Sequence, residues 1–299
     1  MDMLRITGLR KRFGGKEVLN GLNLAVPEHS VFGFIGRNGA GKTTTMKTVL
    51  GLLKADAGEI FVNGEKAAYG QTATNRWIGY LPDVPEFYPF MTAPEYLRFC
   101  GEITGMRKAE TEKRGRELLE LVGLGGETHR IKGFSRGMKQ RLGIAQALLN
   151  SPRLLICDEP TSALDPVGRK EILDLLLAVR EQTTVLFSTH ILSDVERICT
   201  DVAFLDRGAA ELQGRLSEIK TKYRSDEYLV ETENEAGTLA LLQAFPAMRR
   251  KGQNQLAFYE KDCAVSDALR LMADQRIALL KMERQEPTLE SLFLEVVEK

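Results

Sequence analysis

The sequence lacks cysteine pairs at metal-ligand spacing, is poor in histidine and carries no excess of either charge. Its cysteines are spread along the chain without a C-x-x-C pair, at Cys100, Cys157, Cys199 and Cys263. With three histidines in 299 residues, this spacing argues against a zinc site or a disulfide framework and favours reduced thiols, as in a cytosol. The 41 basic residues balance 41 acidic ones, so we expect no nucleic-acid partner and no attraction to an anionic membrane.

Long apolar runs are absent as well. The longest, ILDLLLAV, contains Asp174 and is too short to span a bilayer, and the opening MDMLRITGLRKRF lacks the apolar stretch of a signal peptide. We therefore expect a soluble chain, for which any role at a membrane requires another polypeptide. The apolar fraction of 43% suffices for a sizeable core in one large domain or two.

Apolar patterns divide the chain into an α/β part and a smaller α+β part. Short strands surround a glycine-rich loop within residues 1–66, and a helix-rich stretch covers about 84–150. Strands and helices then alternate, which predicts a parallel sheet with covering helices. Beyond about Ser225 the composition is more charged, with strand-like runs that each precede a helix-like segment. We expect domains at 1–222 and 223–299.

The glycine-rich loop stands between a predicted strand, SVFGFIG, and a predicted helix, KTTTMKTVLGLL. Its sequence GRNGAGKT fits G-x-x-x-x-G-K-T, in which successive backbone N–H groups form a concave site for anionic oxygens. A turn can match this pattern by chance, but the flanking strand and helix favour polyphosphate binding. We expect Lys42, exposed in the loop, to reach the β- and γ-phosphates, and Thr43 to offer its hydroxyl to Mg²⁺. The predicted phosphate-binding residues are Gly36, Arg37, Asn38, Gly39, Ala40, Gly41, Lys42, Thr43 and Thr44.

Another predicted strand, LLICDE, ends in two carboxylates. The apolar run followed by Asp158 and Glu159 places charge at the edge where open α/β sheets bind ligands. Asp158 is a candidate to hold Mg²⁺ through water, and Glu159 is a candidate to polarise an attacking water. The alternative is a solvated strand end or a cap for the next helix. The glycine-rich loop upstream favours the catalytic interpretation.

Two further segments are weak evidence when taken singly. FSRGMKQRL sets Ser135 and Gly137 at the start of an amphipathic helix, where a serine is usually only an N-cap. STH closes another predicted strand, so that His190 could reach a phosphate, although a lone histidine at a strand end is usually structural or on the surface.

In order, these motifs resemble the nucleotide-binding subunit of ATP-binding-cassette (ABC) transporters over about residues 3–222: the Walker A loop GRNGAGKT, the signature-like FSRGM, the Walker B strand LLICDE, the D-loop SALD and the switch histidine His190. The resemblance implies a P-loop ATPase with a β subdomain and a helical subdomain, which hydrolyses ATP with Mg²⁺. It also implies a head-to-tail homodimer, in which ATP lies between the Walker motifs of one copy and Ser135 and Gly137 of the other. Asp165 of the D-loop is an implied nucleotide contact. Phe13 stands where the family places an aromatic that stacks on adenine, a core phenylalanine being the alternative.

Two motifs depart from the family pattern. Asp83 follows the strand IGYLP where the family usually carries glutamine. A carboxylate there could still ligate Mg²⁺, but its charge would oppose a γ-phosphate unless a cation intervenes. In the signature, Arg136 and Met138 replace the commonest glycine and glutamine, and Arg136 could add charge near phosphate or face solvent.

The signature and the ending PTLESLFLEVVEK resemble the branch of ABC exporters whose ATPase and permease are separate chains, of the bacitracin-resistance kind. This resemblance implies a cytoplasmic protein held on the inner face of the cell membrane by its permease, with 223–299 as an accessory domain. One alternative is an ABC protein acting in translation, which usually carries two cassettes. Another is a chromosome or repair ATPase, which should carry a long heptad-patterned insertion. The sequence contains neither feature.

An aromatic stretch, DVPEFYPFMTAPEYLRF, follows the strand IGYLP. Its helix should begin after a Thr92 cap and turn Tyr96 and Phe99 inward. The aromatic residues before this helix stand among prolines and form what we call the aromatic patch: Phe87, Tyr88 and Phe90. The patch is either a hydrophobic staple on a long loop or a groove that receives a short helix of the permease, and the resemblance favours the groove.

Overall fold

The computed structural model describes two compact units, over residues 1–71, 73–162, 164–223, 226–285 and 288–297. The first unit comprises Met1–Leu216 and the chain from Phe293 onward, and the second comprises Ser217–Leu292. The expected boundary at 222/223 follows the change in composition. The two units divide earlier, after Leu216, the first residue of the helix Leu216–Lys222.

The strands, in chain order, are β1 (Asp2–Phe13), β2 (Lys16–Pro27), β3 (Val31–Gly36), β4 (Ala57–Val62), β5 (Glu65–Lys66), β6 (Ile78–Leu81), β7 (Leu154–Asp158), β8 (Thr184–Thr189), β9 (Asp201–Asp206), β10 (Ala209–Arg215), β11 (Glu227–Thr232), β12 (Arg249–Arg250), β13 (Gln255–Tyr259) and β14 (Leu279–Arg284). The helices are α1 (Lys42–Val49), α2 (Ala93–Ile103), α3 (Lys108–Leu121), α4 (Arg136–Ala147), α5 (Pro166–Val179), α6 (Leu192–Ile198), α7 (Leu216–Lys222), α8 (Glu235–Ala244), α9 (Val265–Asp274) and α10 (Leu289–Val297). Short 3₁₀ helices lie at Ala73–Trp77 and Ile131–Gly133.

The central sheet of the first unit has the strand order β10-β9-β3-β8-β7-β6. Its strands from β9 to β6 are parallel, and β10 is antiparallel to β9. Every residue of β3, β7 and β8 is buried, as is typical of parallel strands covered on both faces. The predicted α/β fold with a parallel sheet is therefore confirmed. The carboxyl ends of these three parallel strands lie at one edge of the sheet. Their last residues, which lie at this edge, are Gly36, Asp158 and Thr189.

A second sheet of the first unit is antiparallel, with the strand order β2-β1-β4-β5. Along β2 the buried residues alternate with more exposed ones, and Leu22, Leu24 and Val26 belong to a core cluster that also contains Phe32 and Phe34 of β3. This alternation is typical of a sheet with one face on the core. The β1–β2 hairpin thus packs its apolar face against the strand that leads into the glycine-rich loop.

The helical part of the first unit lies between β6 and β7, as expected. The Thr92 hydroxyl accepts from Glu95 N–H, and the Glu95 carboxylate accepts from Thr92 N–H at 2.8 Å. This capping box confirms the predicted start of α2. Tyr96 is buried as expected and donates its hydroxyl to Gln146 of α4 at 3.0 Å, whereas Phe99 is half-buried.

The second unit is a small α+β fold, as the sequence predicts. Its antiparallel sheet has the order β12-β13-β11-β14, and α8 packs against β11 and α9. The core contains Val230, Leu256 and Phe258 from the strands. The Phe293 ring of α10 belongs to the first unit, where its centroid lies 5.6 Å from that of Phe204. None of the helices in the described ranges has the length and hydropathy needed to cross a bilayer.

Candidate active site

The glycine-rich loop joins the carboxyl end of β3 to the first turn of α1. Residues Arg37–Gly39 are exposed, and Ala40 N–H donates to Arg37 O at 3.1 Å, which closes a tight turn. Gly41 adopts φ 112°, and a Cβ there would lie 2.7 Å from Leu19 Cδ2. Only glycine fits this position without a shift of its neighbours. The first N–H groups of α1 have no acceptor within the helix, so they are available to an anion at the loop.

The threonines of α1 differ in the partners of their hydroxyls. Thr45 Oγ1 donates to Gly41 O at 2.9 Å, and Thr48 Oγ1 donates to Thr44 O at 2.7 Å. Thr43 is exposed and Thr44 is half-buried. The Thr43 hydroxyl is therefore the one that reaches the surface of the loop, where a metal ligand is predicted.

Lys42 is buried, and the expectation that it is exposed in the loop is wrong. Only 6% of its side chain is exposed, and its ammonium donates to Gly36 O at 2.7 Å. The same nitrogen lies 3.1 Å from Glu159 Oε1. A buried ammonium is unfavourable unless it is paired and hydrogen-bonded. Here a carbonyl and a carboxylate compensate for the lost water and hold the side chain against the loop.

Asp158 and Glu159 are held in place by Ser188, a residue that sequence reasoning missed. Asp158 is 2% exposed and pairs in register with Ser188 of β8. The Ser188 hydroxyl donates to Asp158 Oδ1 at 2.7 Å and accepts from Glu159 N–H at 2.9 Å. Glu159 adopts φ 47°, a conformation that side chains with a Cβ seldom adopt. The only signal for Ser188 was its place in the STH that closes a predicted strand.

His190 lies against Glu159, so the structure brings the two predicted catalytic residues together. His190 Nδ1 is 3.0 Å from Glu159 Oε2, and a carboxylate only accepts, so Nδ1 carries the proton in this contact. The imidazole is 48% exposed, and the carboxylate is 14% exposed. In the described part of the chain Glu159 Oε1 has no hydrogen-bond donor, and its contact with Lys42 is an ion pair only.

Asp83 contacts the loop that follows Glu159. Its Oδ1 accepts from Ser162 Oγ at 2.5 Å, and Ser162 N–H donates to Glu159 O at 3.0 Å. Within the residues that the structure describes, no hydrogen bond or ion pair joins Asp83 to Thr43 or Asp158. Nothing in the sequence pattern pointed to the contact with Ser162, because the two residues come from distant loops.

Negative charge accumulates at this edge of the sheet. Burial, followed by the charge of Asp158, raises the pKa of Tyr80 to about 12. Cys157 and Asp83 act in the same direction. The phenol therefore stays neutral, and the surrounding carboxylates favour a cation at this edge.

The other predicted nucleotide contacts lie at helix and strand ends. Ser135 is exposed and caps α4, because its hydroxyl accepts from Met138 N–H at 3.2 Å. Gly137 is half-buried in the first turn of α4. Asp165 caps α5 by accepting from Gly168 N–H at 3.0 Å. In the described ranges no hydrogen bond or ion pair links any of these caps to the glycine-rich loop.

Two remaining predictions concern Phe13 and the D-loop. Phe13 ends β1 and is 47% exposed, so it is not a core residue. The Lys11 ammonium lies 5.2 Å from its ring centroid. Of the D-loop SALD, Ala163 lies outside the described residues.

The aromatic patch borders a groove of about 500 Å³ whose lining includes Tyr88, Tyr96 and Phe99. Tyr88 is 47% exposed and Phe90 is 60% exposed. Phe87 packs edge-on against Tyr96 at 5.0 Å between centroids, and Tyr88 does so against Phe99 at 5.4 Å. The patch is thus partly exposed, and two of its rings pack against aromatic rings of α2.

Residues 19–162 match the ABC transporter family. Residues 214–297 match a second family, the C-terminal domain of DrrA1-3-like ATP-binding proteins. The ABC transporter ATP-binding protein YxlF of Bacillus subtilis is 38% identical over 302 residues, covering 99% of each chain. The bacitracin transport ATP-binding protein BcrA of Bacillus licheniformis is 36% identical over 99% of this chain and 97% of its own length. The chain belongs to the ABC transporter ATP-binding proteins.

A solved ABC structure has the same fold. It is an ATP-binding cassette in a dimeric post-hydrolysis state bound to ADP and Pi, with a TM-score of 0.64 and 26% identity, covering 72% of this chain and 99% of that one. The present ABC protein is thus the ATP-binding subunit of a transporter and an ATP hydrolase, as its sequence motifs indicate. Its relatives do not support the alternative role in translation.

Proposed function

We propose that this ABC subunit binds MgATP on the glycine-rich loop, hydrolyses it with Glu159 as the general base, and powers export by a partner permease. The observation that carries the proposal is the position of the Glu159 carboxylate, 3.1 Å from the Lys42 ammonium and 3.0 Å from His190 Nδ1. The carboxylate that is to accept the proton therefore contacts both the cation that is to bind phosphate and an imidazole that orients it.

The chemistry of the loop fits a polyphosphate. Exposed backbone at Arg37–Gly39, the positive end of α1 and the Lys42 ammonium all offer positive charge or N–H donors. On binding, Lys42 exchanges its partners for β- and γ-phosphate oxygens. Phe13, exposed at the end of β1, offers a ring face to the adenine.

A magnesium ion fits the site only together with phosphate. The described residues contain no group of three or more His, Cys, Asp or Glu side chains that could hold a metal ion alone. Magnesium sites usually combine one or two carboxylates with water and substrate phosphates. We assign Thr43 as a direct ligand and Asp158 as a ligand through water, and Asp83 can join them after it leaves Ser162. When bound, Mg²⁺ neutralises charge on the transferred phosphoryl group.

The two carboxylate oxygens of Glu159 have different roles in this proposal. His190 donates to Oε2. In the described ranges Oε1 has no hydrogen-bond donor, and its contact is the ion pair with Lys42. When Lys42 moves to phosphate, Oε1 becomes the free acceptor. It takes a proton from the water that attacks the γ-phosphorus, while the bond from the γ-phosphorus to the ADP oxygen breaks and ADP leaves.

A second copy of the chain completes the site. Ser135 and Gly137 stand at the exposed start of α4, whose free N–H groups attract an anion. Neither residue hydrogen-bonds to its own glycine-rich loop in the described chain. In a head-to-tail homodimer these N–H groups face the ATP held by the opposite copy, and Asp165 of the D-loop adds a further nucleotide contact.

In this proposal a partner permease forms the transport pathway through the membrane, and this subunit binds to the permease at the inner face of the cell membrane. The relative BcrA is named for bacitracin transport, which supports export of an antibiotic-like compound. The aromatic patch, with Phe90 60% exposed, supports a docking groove for a short permease helix. Co-purification with a membrane protein, against co-purification with ribosomes or DNA, tests this assignment directly.

The homodimer is tested with Glu159→Gln, which keeps the size and hydrogen-bonding reach of the side chain but removes the base. We expect the variant to bind ATP without turnover and to elute as a dimer in size-exclusion chromatography with MgATP, but as a monomer without nucleotide. The matched control is the same variant with Lys42→Ala added, which should stay monomeric. A Glu159→Gln variant that never dimerises with MgATP would contradict the two-subunit site.

A further inference from the structure

A buried carboxylate, Asp194, links the segment that follows His190 to the turn that follows Glu159. It stands in the first turn of α6, and its side chain is 3% exposed. Its Oδ2 accepts from Thr161 Oγ1 at 2.7 Å, and its Oδ1 accepts from Arg169 Nε at 2.6 Å. Each oxygen therefore has a donor, and one donor is a cation, which compensates for the burial of the charge.

The donors to Asp194 come from two other segments of the chain. Thr161 follows Glu159 by two residues, in the turn after β7, and Arg169 lies in the first turn of α5. Asp194 itself follows His190 by four residues. A single carboxylate thus ties together the turn after Glu159, the helix after the D-loop and the helix after His190.

We propose that Asp194 is a positioning residue for ATP hydrolysis, which fixes Glu159 relative to His190 through Thr161. This inference rests on the proposed roles of Glu159 and His190. The backbone of Glu159 needs such support because its φ of 47° persists only where the surroundings enforce it. The Ser188 hydroxyl accepts a hydrogen bond from Glu159 N–H. The bond from Thr161 to Asp194 fixes the turn that follows Glu159.

The hydrogen bonds of Asp194 predict which kinetic constant changes when the Thr161 hydroxyl is lost. Asp194 bonds to Thr161 and Arg169, and neither of these residues hydrogen-bonds to Lys42 or to the glycine-rich loop in the described chain. Loss of the Thr161 hydroxyl should therefore not weaken nucleotide binding. It should lower kcat, because a displacement of about 1 Å in a reacting group can cost about 100-fold in rate.

The same two helices supply a matched control. Asp174 of α5 and Arg197 of α6 form an ion pair at 2.8 Å, with 51% and 40% of their side chains exposed. This pair joins α5 to α6 as Asp194 does, but it makes no hydrogen bond to the turn after Glu159 in the described residues. Asp174→Asn therefore removes a link between the helices without releasing Thr161.

The experiment uses the purified full chain and compares Thr161→Val, Thr161→Ser and Asp174→Asn with the unaltered protein. Thr161→Val removes the hydroxyl at nearly constant shape, and Thr161→Ser restores it. Asp194→Asn strips Arg169 of its charge partner and risks unfolding, so the threonine variants carry the test. The measurements are kcat and KM for MgATP and the Kd for MgADP, with Glu159→Gln as the reference for loss of the base.

We expect Thr161→Val to lower kcat about 10- to 100-fold, with KM and the MgADP Kd no more than about twofold above the values of the unaltered chain. Thr161→Ser should recover most of the rate, and Asp174→Asn should leave it unchanged. If Thr161→Val keeps its kcat while Glu159→Gln loses it, the inference fails and the proposed function stands. If Thr161→Val loses rate and nucleotide affinity together, Asp194 has a general structural role and the inference also fails. If Glu159→Gln itself keeps full turnover, the proposed function fails and takes this inference with it.

Discussion

Replacing Glu159 by glutamine should tighten nucleotide binding as well as stop hydrolysis. The Lys42 ammonium lies 3.1 Å from Glu159 Oε1, with 6% and 14% of the two side chains exposed. At an effective dielectric constant of about 20, Coulomb attraction at that distance amounts to about 5 kcal/mol. Nucleotide must break this contact to take Lys42, so the ion pair in the ligand-free protein opposes binding.

Only part of this attraction is a net contribution. Both groups lose water when they pair, and Lys42 keeps Gly36 O at 2.7 Å and Arg37 O at 3.4 Å when Glu159 is neutralised. We take about 2 kcal/mol as the net contribution of the pair, which lies between the Coulomb attraction and the contribution of an exposed ion pair, about 1 kcal/mol or less. At 1.4 kcal/mol per factor of ten, Glu159→Gln should lower the Kd about 30-fold.

The assay is isothermal titration calorimetry with MgADP, which the protein cannot hydrolyse, at a concentration where the chain is monomeric. His190→Ala is the matched control, because it removes the partner of Oε2 and leaves the Lys42–Glu159 pair in place. Its Kd should stay within about twofold of the unaltered value. An unchanged Kd for Glu159→Gln, or equal tightening in His190→Ala, would refute the reasoning that the ion pair competes with nucleotide.

Three further predictions concern separate parts of the protein. Lys42→Ala should reduce phosphate release at least about 100-fold while the circular dichroism spectrum is retained, and thermal unfolding should show a lower Tm because a buried ion pair is broken; turnover at the unaltered rate would count against the loop. Phe87→Ala combined with Tyr88→Ala should weaken permease association in pull-downs by about 2 to 4 kcal/mol while basal hydrolysis persists; unchanged association, or loss of basal activity through misfolding, would defeat the groove. Asp83→Asn should raise the Mg²⁺ concentration for half-maximal hydrolysis about tenfold if Asp83 ligates the metal, and Ser162→Ala should not; equal shifts in the two variants would assign Asp83 to the Ser162 contact alone.

Much of the fold follows from local sequence patterns. The apolar runs of β3, β7 and β8 predict buried parallel strands, and TAPE predicts the capping box that starts α2. Because the carboxyl ends of parallel strands share one edge, the glycine-rich loop and Glu159 could be expected to meet. These inferences need only periodicity, capping chemistry and sheet geometry.

The contacts that hold the site together could not be predicted in the same way. The burial of Lys42 depends on Glu159 Oε1, and the Ser188 hydroxyl bridges the last residue of the neighbouring strand, Asp158, and the residue after it, Glu159. Which side chains touch across such strands depends on the register of the pairing, and a single sequence does not specify that register. The bond from Asp83 to Ser162 joins two loops, whose course is still less constrained by periodicity.

The most direct test of the central claim is the rate of phosphate release by Glu159→Gln at saturating MgATP, measured beside the unaltered chain. With Glu159 as the general base, the variant should retain bound ATP and release phosphate at least about 100-fold more slowly, since general-base catalysis contributes about 100- to 10,000-fold. Phosphate release within a few-fold of the unaltered rate, from a variant that binds ATP, would contradict Glu159 as the base and the mechanism built on it.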